Sequence, residues 1–293
     1  MIITRLIGGL GNQLFQYAAG RRLAQVHGTE LKMDVSGFGD RGYPTVRHYE
    51  LSPFGIKQAF ATASELKKFT PHCSMMSRIF KRSSQRNMQL PEVYIKQEHF
   101  HFEPRILELP DGVYLDGYWQ SERYFTDVAD LIRADLTITT PVDGRNLELM
   151  EQINSCNAVS VHVRRGDYVS DEHTAAYHGV CSLDYYHNAI QHVVEAIENP
   201  VLFMFSDDPD WVRANLITSY PATIVDHNGS KHCVEDLRLM SACRNHILAN
   251  SSFSWWGAWL NANPDKIVVA PKRWFNESSI DTSDLVPQQW LRL

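Results

Sequence analysis

VSVHVRRGDY, residues 159–168, alternates apolar and polar residues until it reaches a glycine, which predicts a β-strand that runs into a loop. Because strand side chains alternate between two faces, His162 and Arg164 are expected on one face and Arg165 on the other. Open α/β sheets bind ligands at the carboxyl ends of their strands, where these arginines stand. Arg164 is therefore a candidate clamp for a phosphorylated ligand, since its guanidinium is a permanently charged fork of donors.

Arg165 is expected on the apolar face, where a buried guanidinium needs a carboxylate partner. Asp167 is the nearest candidate in the sequence. The alternative is a solvated basic turn that binds no ligand. The residues of this stretch leave both interpretations open.

Strands alternate with helical patterns along the rest of the chain, which predicts an α/β fold. In the first half we predict strands 2–7, 30–34 and 113–117 and helices 12–26, 121–133 and 144–154. In the second half we predict strands 201–205, 222–225, 246–249 and 266–270 and helices 183–197, 209–216, 233–243 and 253–262. The turn-like residues 141–144 place a boundary between domains 1–143 and 144–293.

HVRRGDY at 162–168 resembles the H-x-R-R-x-D-Y signature of the α-1,2-fucosyltransferases of glycosyltransferase family eleven. Four more segments resemble that family in the same order: IGGLGNQLFQYAAGRRLA (7–24), LDGYWQSERYF (115–125), FSDD (205–208) and NSSFSWWGAWL (250–260). The resemblance implies a GT-B-like fold of two facing Rossmann-like domains. Residues 1–143 would lie mainly on the acceptor side, and residues 144–293 would bind GDP-fucose.

The implied reaction is the inverting transfer of L-fucose from GDP-β-L-fucose to the 2-hydroxyl of a terminal galactoside, without a metal or cofactor. Arg164 and His162 would bind the donor, and the diphosphate that leaves would be stabilised by Arg164. Inversion calls for a base on the acceptor hydroxyl. The candidates are Asp167 and Glu172, of which Glu172 matches by its spacing from His162 the proposed base of the α-1,6 relatives.

A glycine loop at residues 8–13 follows the first predicted strand and opens a helix. Glycines allow the backbone to approach a ligand, and the N–H groups at a helix start favour anions. Gly11 and Asn12 are therefore candidates for donor binding, with Asn12 also a catalytic candidate. A glycine turn that only packs the helix on the strand explains the loop equally well. The dinucleotide pattern G-x-G-x-x-G is not met, because Leu14 takes the place of the third glycine.

Two groups in the second half are further candidates for donor binding. The resemblance to distant fucosyltransferases suggests that Asp236 accepts both N–H bonds of guanine, whereas a solvated helix face is the alternative. Ser251, Ser252 and Ser254 stand at a strand-to-helix turn, where each could bind phosphate or cap the helix. The neighbouring tryptophans at 255, 256 and 259 are expected to be mostly core.

Asp208 and Asp210 form a D-x-D pattern like that of metal-dependent glycosyltransferases. A helix cap by Ser206 or Asp207, ahead of Pro209, explains the same residues and is the preferred interpretation. We therefore predict no metal site, and assign Asp207 together with Arg165 to structural support. The alternative is another nucleotide-sugar glycosyltransferase, in which Asp208 and Asp210 form the metal site.

The composition limits the class of protein and its partners. A formal net charge of −6 over 293 residues argues against nucleic-acid binding. Five scattered cysteines without a C-x-x-C pair predict free thiols. The chain shows no signal-peptide pattern or membrane span. Since animal members of the family that it resembles are tethered by an amino-terminal membrane helix, the resemblance implies a bacterial cytoplasmic enzyme. Its acceptor would be a galactose-terminated glycan, and a lipid-linked one if the basic segment 78–86 makes peripheral contact with the inner membrane face. A solvated loop is the default for that segment.

Two other classes of function remain at this point. A non-catalytic glycan-binding protein would explain the tryptophans. A nucleotide-dependent oxidoreductase would explain the glycine loop. Neither class needs the arginine strand, and GDP binding would separate both from the transferase.

Overall fold

The computed structural model describes residues 1–39, 47–69, 93–166, 172–229 and 232–293. These residues form two compact units, Met1–Leu136 and Thr137–Leu293. Each unit is built on a parallel sheet with helices between its strands. The α/β prediction is therefore confirmed.

The first unit has a four-stranded parallel sheet in the order β2-β1-β4-β3. Its strands are β1 (Ile2–Arg5), β2 (Leu31–Asp34), β3 (Tyr94–Lys96) and β4 (Tyr114–Asp116). Its helices are α1 (Leu10–Val26), α2 (Ala63–Phe69) and α3 (Ala129–Asp135). The chain leaves β1 toward one edge of the sheet and returns to pair β4 on its other side, which makes a topological switch point between β1 and β4.

The predicted helix 121–133 is wrong in its first half. Two short 3₁₀ turns, Glu122–Tyr124 and Thr126–Val128, precede α3. Ser121 caps the first turn by accepting a hydrogen bond from the Arg123 N–H. Phe125 then leaves the helical conformation while its ring is fully buried, so packing of this aromatic side chain interrupts the helix.

The second unit has a six-stranded parallel sheet in the order β10-β9-β8-β5-β6-β7. Its strands are β5 (Asn157–Val163), β6 (Pro200–Ser206), β7 (Ala222–Val225), β8 (Asn245–Ile247), β9 (Val268–Ala270) and β10 (Leu291–Arg292). Its helices are α4 (Gly144–Ser155), α5 (Glu172–His178), α6 (Leu183–Ala196), α7 (Pro209–Asn215), α8 (Cys233–Ala242) and α9 (Ser252–Leu260). The switch point of this sheet lies between β5 and β8.

Strand β5 is a central strand of the second unit. Val159, Val161 and Val163 are buried against α6 and the neighbouring strands. On the opposite face, Ser160 is hydrogen-bonded to Nδ1 of His246 at 2.8 Å. Both faces of β5 are thus covered, as expected for a central strand of a parallel sheet.

The division between the units falls between Leu136 and Thr137, upstream of residues 141–144. Leu136 is buried and ends α3. Beyond it, Nη2 of Arg238 donates to the carbonyl and hydroxyl oxygens of Thr140 at 2.7 and 3.0 Å. These bonds attach the segment before α4 to the second unit.

Four cysteines lie among the described residues. Cys156, Cys181, Cys233 and Cys243 are free thiols, of which Cys243 is buried and the others are partly buried. Among the described residues, no helix combines the length and apolar character that a bilayer span requires.

Candidate active site

The carboxyl edge of the six-stranded sheet brings together the residues that follow β5, β6 and β8. His162 is 5% exposed near the end of β5, and its ring lies 5.7 Å from that of Phe253 on α9. No described residue offers its Nδ1 atom a hydrogen bond. Burial lowers the pKa of His162 to about 4, so the ring is neutral at neutral pH.

Arg164 directly follows β5 and is paired with Asp207, which directly follows β6. Nη1 of Arg164 lies 2.9 Å from Oδ2 of Asp207. The other carboxylate oxygen, Oδ1, accepts a hydrogen bond from the Arg165 N–H at 2.8 Å. A Cβ on Gly166 would stand 2.5 Å from Oδ2, so only glycine permits this approach. The parallel register, with Val163 opposite Ser206, produces the arrangement.

Arg165 has a different carboxylate partner from the predicted Asp167. Its Nε atom lies 3.3 Å from Oδ2 of Asp208, and its guanidinium stands 3.9 Å from the centre of the Trp211 ring. Asp167 itself lies outside the described residues. Pairing of β5 with β6 supplies a carboxylate that is distant in the sequence.

The helix cap after β6 lies at Asp208, and the predicted cap by Ser206 or Asp207 is wrong. Asp208 caps α7 by accepting a hydrogen bond from the Trp211 N–H at 3.2 Å, and Pro209 follows at the first helical position. Asp210 is paired with Arg213 at 2.6 Å on the helix surface. Within the described ranges, no group of three or more His, Cys, Asp or Glu side chains is arranged to hold a metal ion.

The serines after β8 have distinct positions. Ser251 caps α9 by accepting a hydrogen bond from the Phe253 N–H at 3.3 Å. Ser254 is 1% exposed, and its hydroxyl donates to the carbonyls of Ala249 and Ser251 at 3.4 and 3.2 Å. Both bonds of the Ser254 hydroxyl are to the backbone of the turn that starts α9. Ser252 is partly buried in the first turn of α9, at the switch point.

Asp236 on α8 is half-buried and belongs to a polar network, which rules out the solvated helix face. Its Oδ1 atom accepts a hydrogen bond from Nδ2 of Asn228 at 2.7 Å. The amides of Asn228 and Asn146 bond to each other twice, at 2.9 and 3.0 Å. Burial raises the pKa of Asp236 to about 6. Sequence reasoning missed both asparagines, whose only signal was a turn-forming Asn-Gly at 228–229.

In the first unit, the glycine loop is a tightly bonded structure at the start of α1. Gly8 has φ +77°, and a Cβ there would lie 2.4 Å from Nδ2 of Asn12, so glycine is required. Oδ1 of Asn12 accepts a hydrogen bond from Nε2 of Gln120 at 2.7 Å. Gln13 is buried and donates to the Gly8 carbonyl at 2.9 Å. Gly11 lies buried in the first turn.

Sequence reasoning did not identify Gln120 and Gln13, whose side chains bond to this loop. Gln120 belongs to the segment LDGYWQSERYF, which resembles the family. The sequence did not indicate that its side chain bonds to Asn12. Of the base candidates, Glu172 begins α5, but its side chain lies outside the described part of the structure, as does Asp167. The basic segment 78–86 is outside it too.

The chain is similar to known proteins over its full length. The family model described as glycosyl transferase family 11 matches residues 1–293. An α-1,2-colitosyltransferase of Escherichia coli is 34% identical over 100% of this chain and 99% of its own length. The O-antigen biosynthesis glycosyltransferase WbnK of Escherichia coli is 33% identical over 98% of this chain and 99% of its own.

A solved structure agrees with the fold. A point mutant of Arabidopsis thaliana FUT1 in complex with GDP has a TM-score of 0.50 and 14% identity, and the match covers 91% of this chain and 69% of that one. Two units with parallel sheets and this likeness confirm the predicted GT-B class of fold. The full-length family match and the two full-length relatives show that the chain belongs to glycosyl transferase family 11.

Proposed function

We propose that this glycosyltransferase moves L-fucose from GDP-β-L-fucose to the 2-hydroxyl of a terminal galactoside, with inversion and without a metal. The observation that carries the proposal is the guanidinium of Arg164 at the carboxyl end of β5, a strand that borders the switch point of its sheet, held against a carboxylate. That position is where open α/β sheets bind phosphorylated ligands. A site that holds a carboxylate by a guanidinium and a backbone N–H has the donors that a phosphate oxygen needs.

In the proposed reaction, the galactoside 2-hydroxyl oxygen attacks the anomeric carbon as the sugar–phosphate bond breaks. The bonding electrons leave with the diphosphate, so negative charge grows next to Arg164. Neutral His162 and the helix start at Ser251 and Ser252 supply further polar groups at the same edge. Asp167 and Glu172 remain the candidates for the base that takes the hydroxyl proton.

The two units have different roles in the proposal. Residues 144–293 bind the nucleotide half of the donor, with Asp236 as the group that accepts the guanine N–H bonds. Residues 1–143 serve mainly the acceptor, and Gly11 and Asn12 approach the reacting sugar. A lipid-linked acceptor, and contact of residues 78–86 with the inner membrane face, stay predictions.

The relative that transfers colitose makes GDP-colitose the competing donor. Colitose lacks the 3-hydroxyl that fucose has. The test is to assay GDP-fucose and GDP-colitose side by side against galactose-terminated and glucose-terminated glycans, and to map the product linkage by NMR. We expect an α-1,2-fucosylated galactoside. Transfer from GDP-colitose alone, or a different linkage, would contradict the proposal.

We expect transfer to continue in the presence of excess chelator. Arg164 supplies the positive charge that a divalent ion supplies elsewhere, and Asp208 and Asp210 are engaged with different arginines. Initial rates with EDTA, and with added manganese or magnesium, measure this. Loss of activity in chelator and its recovery with one metal would restore the metal-dependent alternative.

We expect Asp236→Asn to weaken GDP binding by about tenfold, since an ionised acceptor facing two guanine donors is replaced by an amide. The same carboxylate predicts a pH dependence. Its pKa of about 6 lies above the ordinary 3.8, so the proton is bound as the pH falls through 6. GDP affinity should then decrease from pH 7 to 5 in the wild type, and much less in the variant.

Calorimetric titration of GDP and ADP measures both effects. Glu235→Gln is a matched control, because Glu235 is the adjacent acid on α8 and is paired with Arg238 at 2.9 Å. This control should keep the wild-type preference for GDP. An Asp236→Asn protein with unchanged GDP affinity and unchanged preference would leave Asp236 with a structural role only.

A further inference from the structure

The carboxylate of Asp207 is held as an anionic ligand would be held. One oxygen lies 2.9 Å from Nη1 of Arg164, and the other accepts the Arg165 N–H at 2.8 Å. The absent side chain of Gly166 makes room for it. A guanidinium and a backbone N–H after a strand are the donor set that proteins use for phosphate oxygens.

The neighbouring ion pair, Arg165 with Asp208, makes a different set of contacts. Asp208 is engaged twice, as the cap of α7 and as the partner of Arg165. Arg165 is additionally stacked on Trp211. These contacts build the fold around α7. In contrast, both contacts of Asp207 are with the turn after β5, where Arg164 is the proposed clamp for the donor diphosphate.

We propose that Asp207 is an internal counter-anion, which occupies the Arg164 clamp when no nucleotide is bound and returns to it as GDP leaves. The inference rests on the proposed role of Arg164 in binding the donor diphosphate. A diphosphate that reaches Arg164 stands close to the Asp207 carboxylate, and the like charges repel. Asp207 therefore lowers the affinity for the product and speeds its release, a step that limits turnover in many enzymes.

Asp207→Asn tests this inference because it keeps the size and the acceptor for the Arg165 N–H while removing the charge. We expect inorganic diphosphate and GDP to bind about tenfold more tightly, a moderate gain because the pair is partly solvated. We also expect kcat to fall, with a burst of product in the first turnover because GDP release has become slower. A residue that merely supports the fold would not raise the affinity for anions.

Asp208→Asn is the matched control, a neighbouring aspartate with the same type of arginine partner. It should lower the unfolding temperature slightly, because it removes the ion pair with Arg165 and the negative charge at the start of α7. It should leave diphosphate affinity within about twofold of the wild type. Asp207→Ser, which also removes the charge, replaces Asp207→Asn if that protein fails to fold. Unchanged or weaker diphosphate binding in the folded variant overturns the inference.

Measuring the binding of inorganic diphosphate tests this inference separately from the proposed function. Inorganic diphosphate reports on the clamp without a base or a sugar. A wild-type protein that binds diphosphate but discriminates against GDP would contradict the proposed donor. In that case, tighter diphosphate binding by Asp207→Asn would still support the role of Asp207.

Discussion

Arg164→Lys is expected to lower the turnover of transfer by about 30- to 1000-fold, while the protein stays folded. Lysine keeps the positive charge but presents a single ammonium, which cannot make the two parallel bonds of a guanidinium to phosphate. The loss corresponds to about 2–4 kcal/mol of transition-state stabilisation, as for the removal of one preorganised donor from an oxyanion site. The side chain of Arg164 is 25% exposed. Lysine preserves its aliphatic stem and its charge, so we expect the variant to stay folded.

Steady-state kinetics together with thermal unfolding measure this effect. Arg213→Lys is the matched control, since Arg213 is a half-exposed arginine paired with Asp210 and Asp226 on the surface of the same unit. It should retain wild-type turnover. If folded Arg164→Lys protein turned over at nearly the wild-type rate, Arg164 would have no role in stabilising the leaving diphosphate.

Trp255→Ala is expected to lower the free energy of unfolding by about 3–5 kcal/mol, the usual cost of removing a large buried ring. Trp255 is fully buried on α9, and its ring lies within 5.0 to 6.1 Å of those of Trp256, Trp259 and Trp290. Its Nε1 atom donates to the Leu285 carbonyl at 2.9 Å. Alanine removes the packing and leaves that carbonyl without its donor.

Urea unfolding of the wild type, Trp255→Ala and Trp255→Phe separates the two contributions. Phenylalanine retains an aromatic ring and loses the N–H, so it should destabilise by about 1–3 kcal/mol. A Trp255→Ala protein of wild-type stability but lost glycan binding would instead place this tryptophan in a sugar site. The burial of all three α9 tryptophans argues for the core, and it removes the feature on which a simple glycan-binding module was based.

The predictions that held depended on local patterns. Alternation in VSVHV located β5, because the side-chain period of a strand is visible in any single strand. Pro209 located the start of α7, because proline fits the first position of a helix, but the cap residue was predicted wrongly. The prediction of a helix over 121–133 was wrong in its first half because it depended on tertiary packing. The burial of Phe125 is a property of the folded unit, and it overrides the helical pattern.

The sequence by itself determined most of the longer strands and helices, the arginine pair after β5 and the likeness to a family, because each depends on residues close together in the chain. It did not predict β3, β10, α2 or α5. Only the tertiary structure decided which acid meets which arginine. Asp207 and Asp208 bond to the arginine turn from positions 42 and 43 residues distant from Arg165. Parallel strands set this pairing through their register, and the register depends on the packing of the whole sheet.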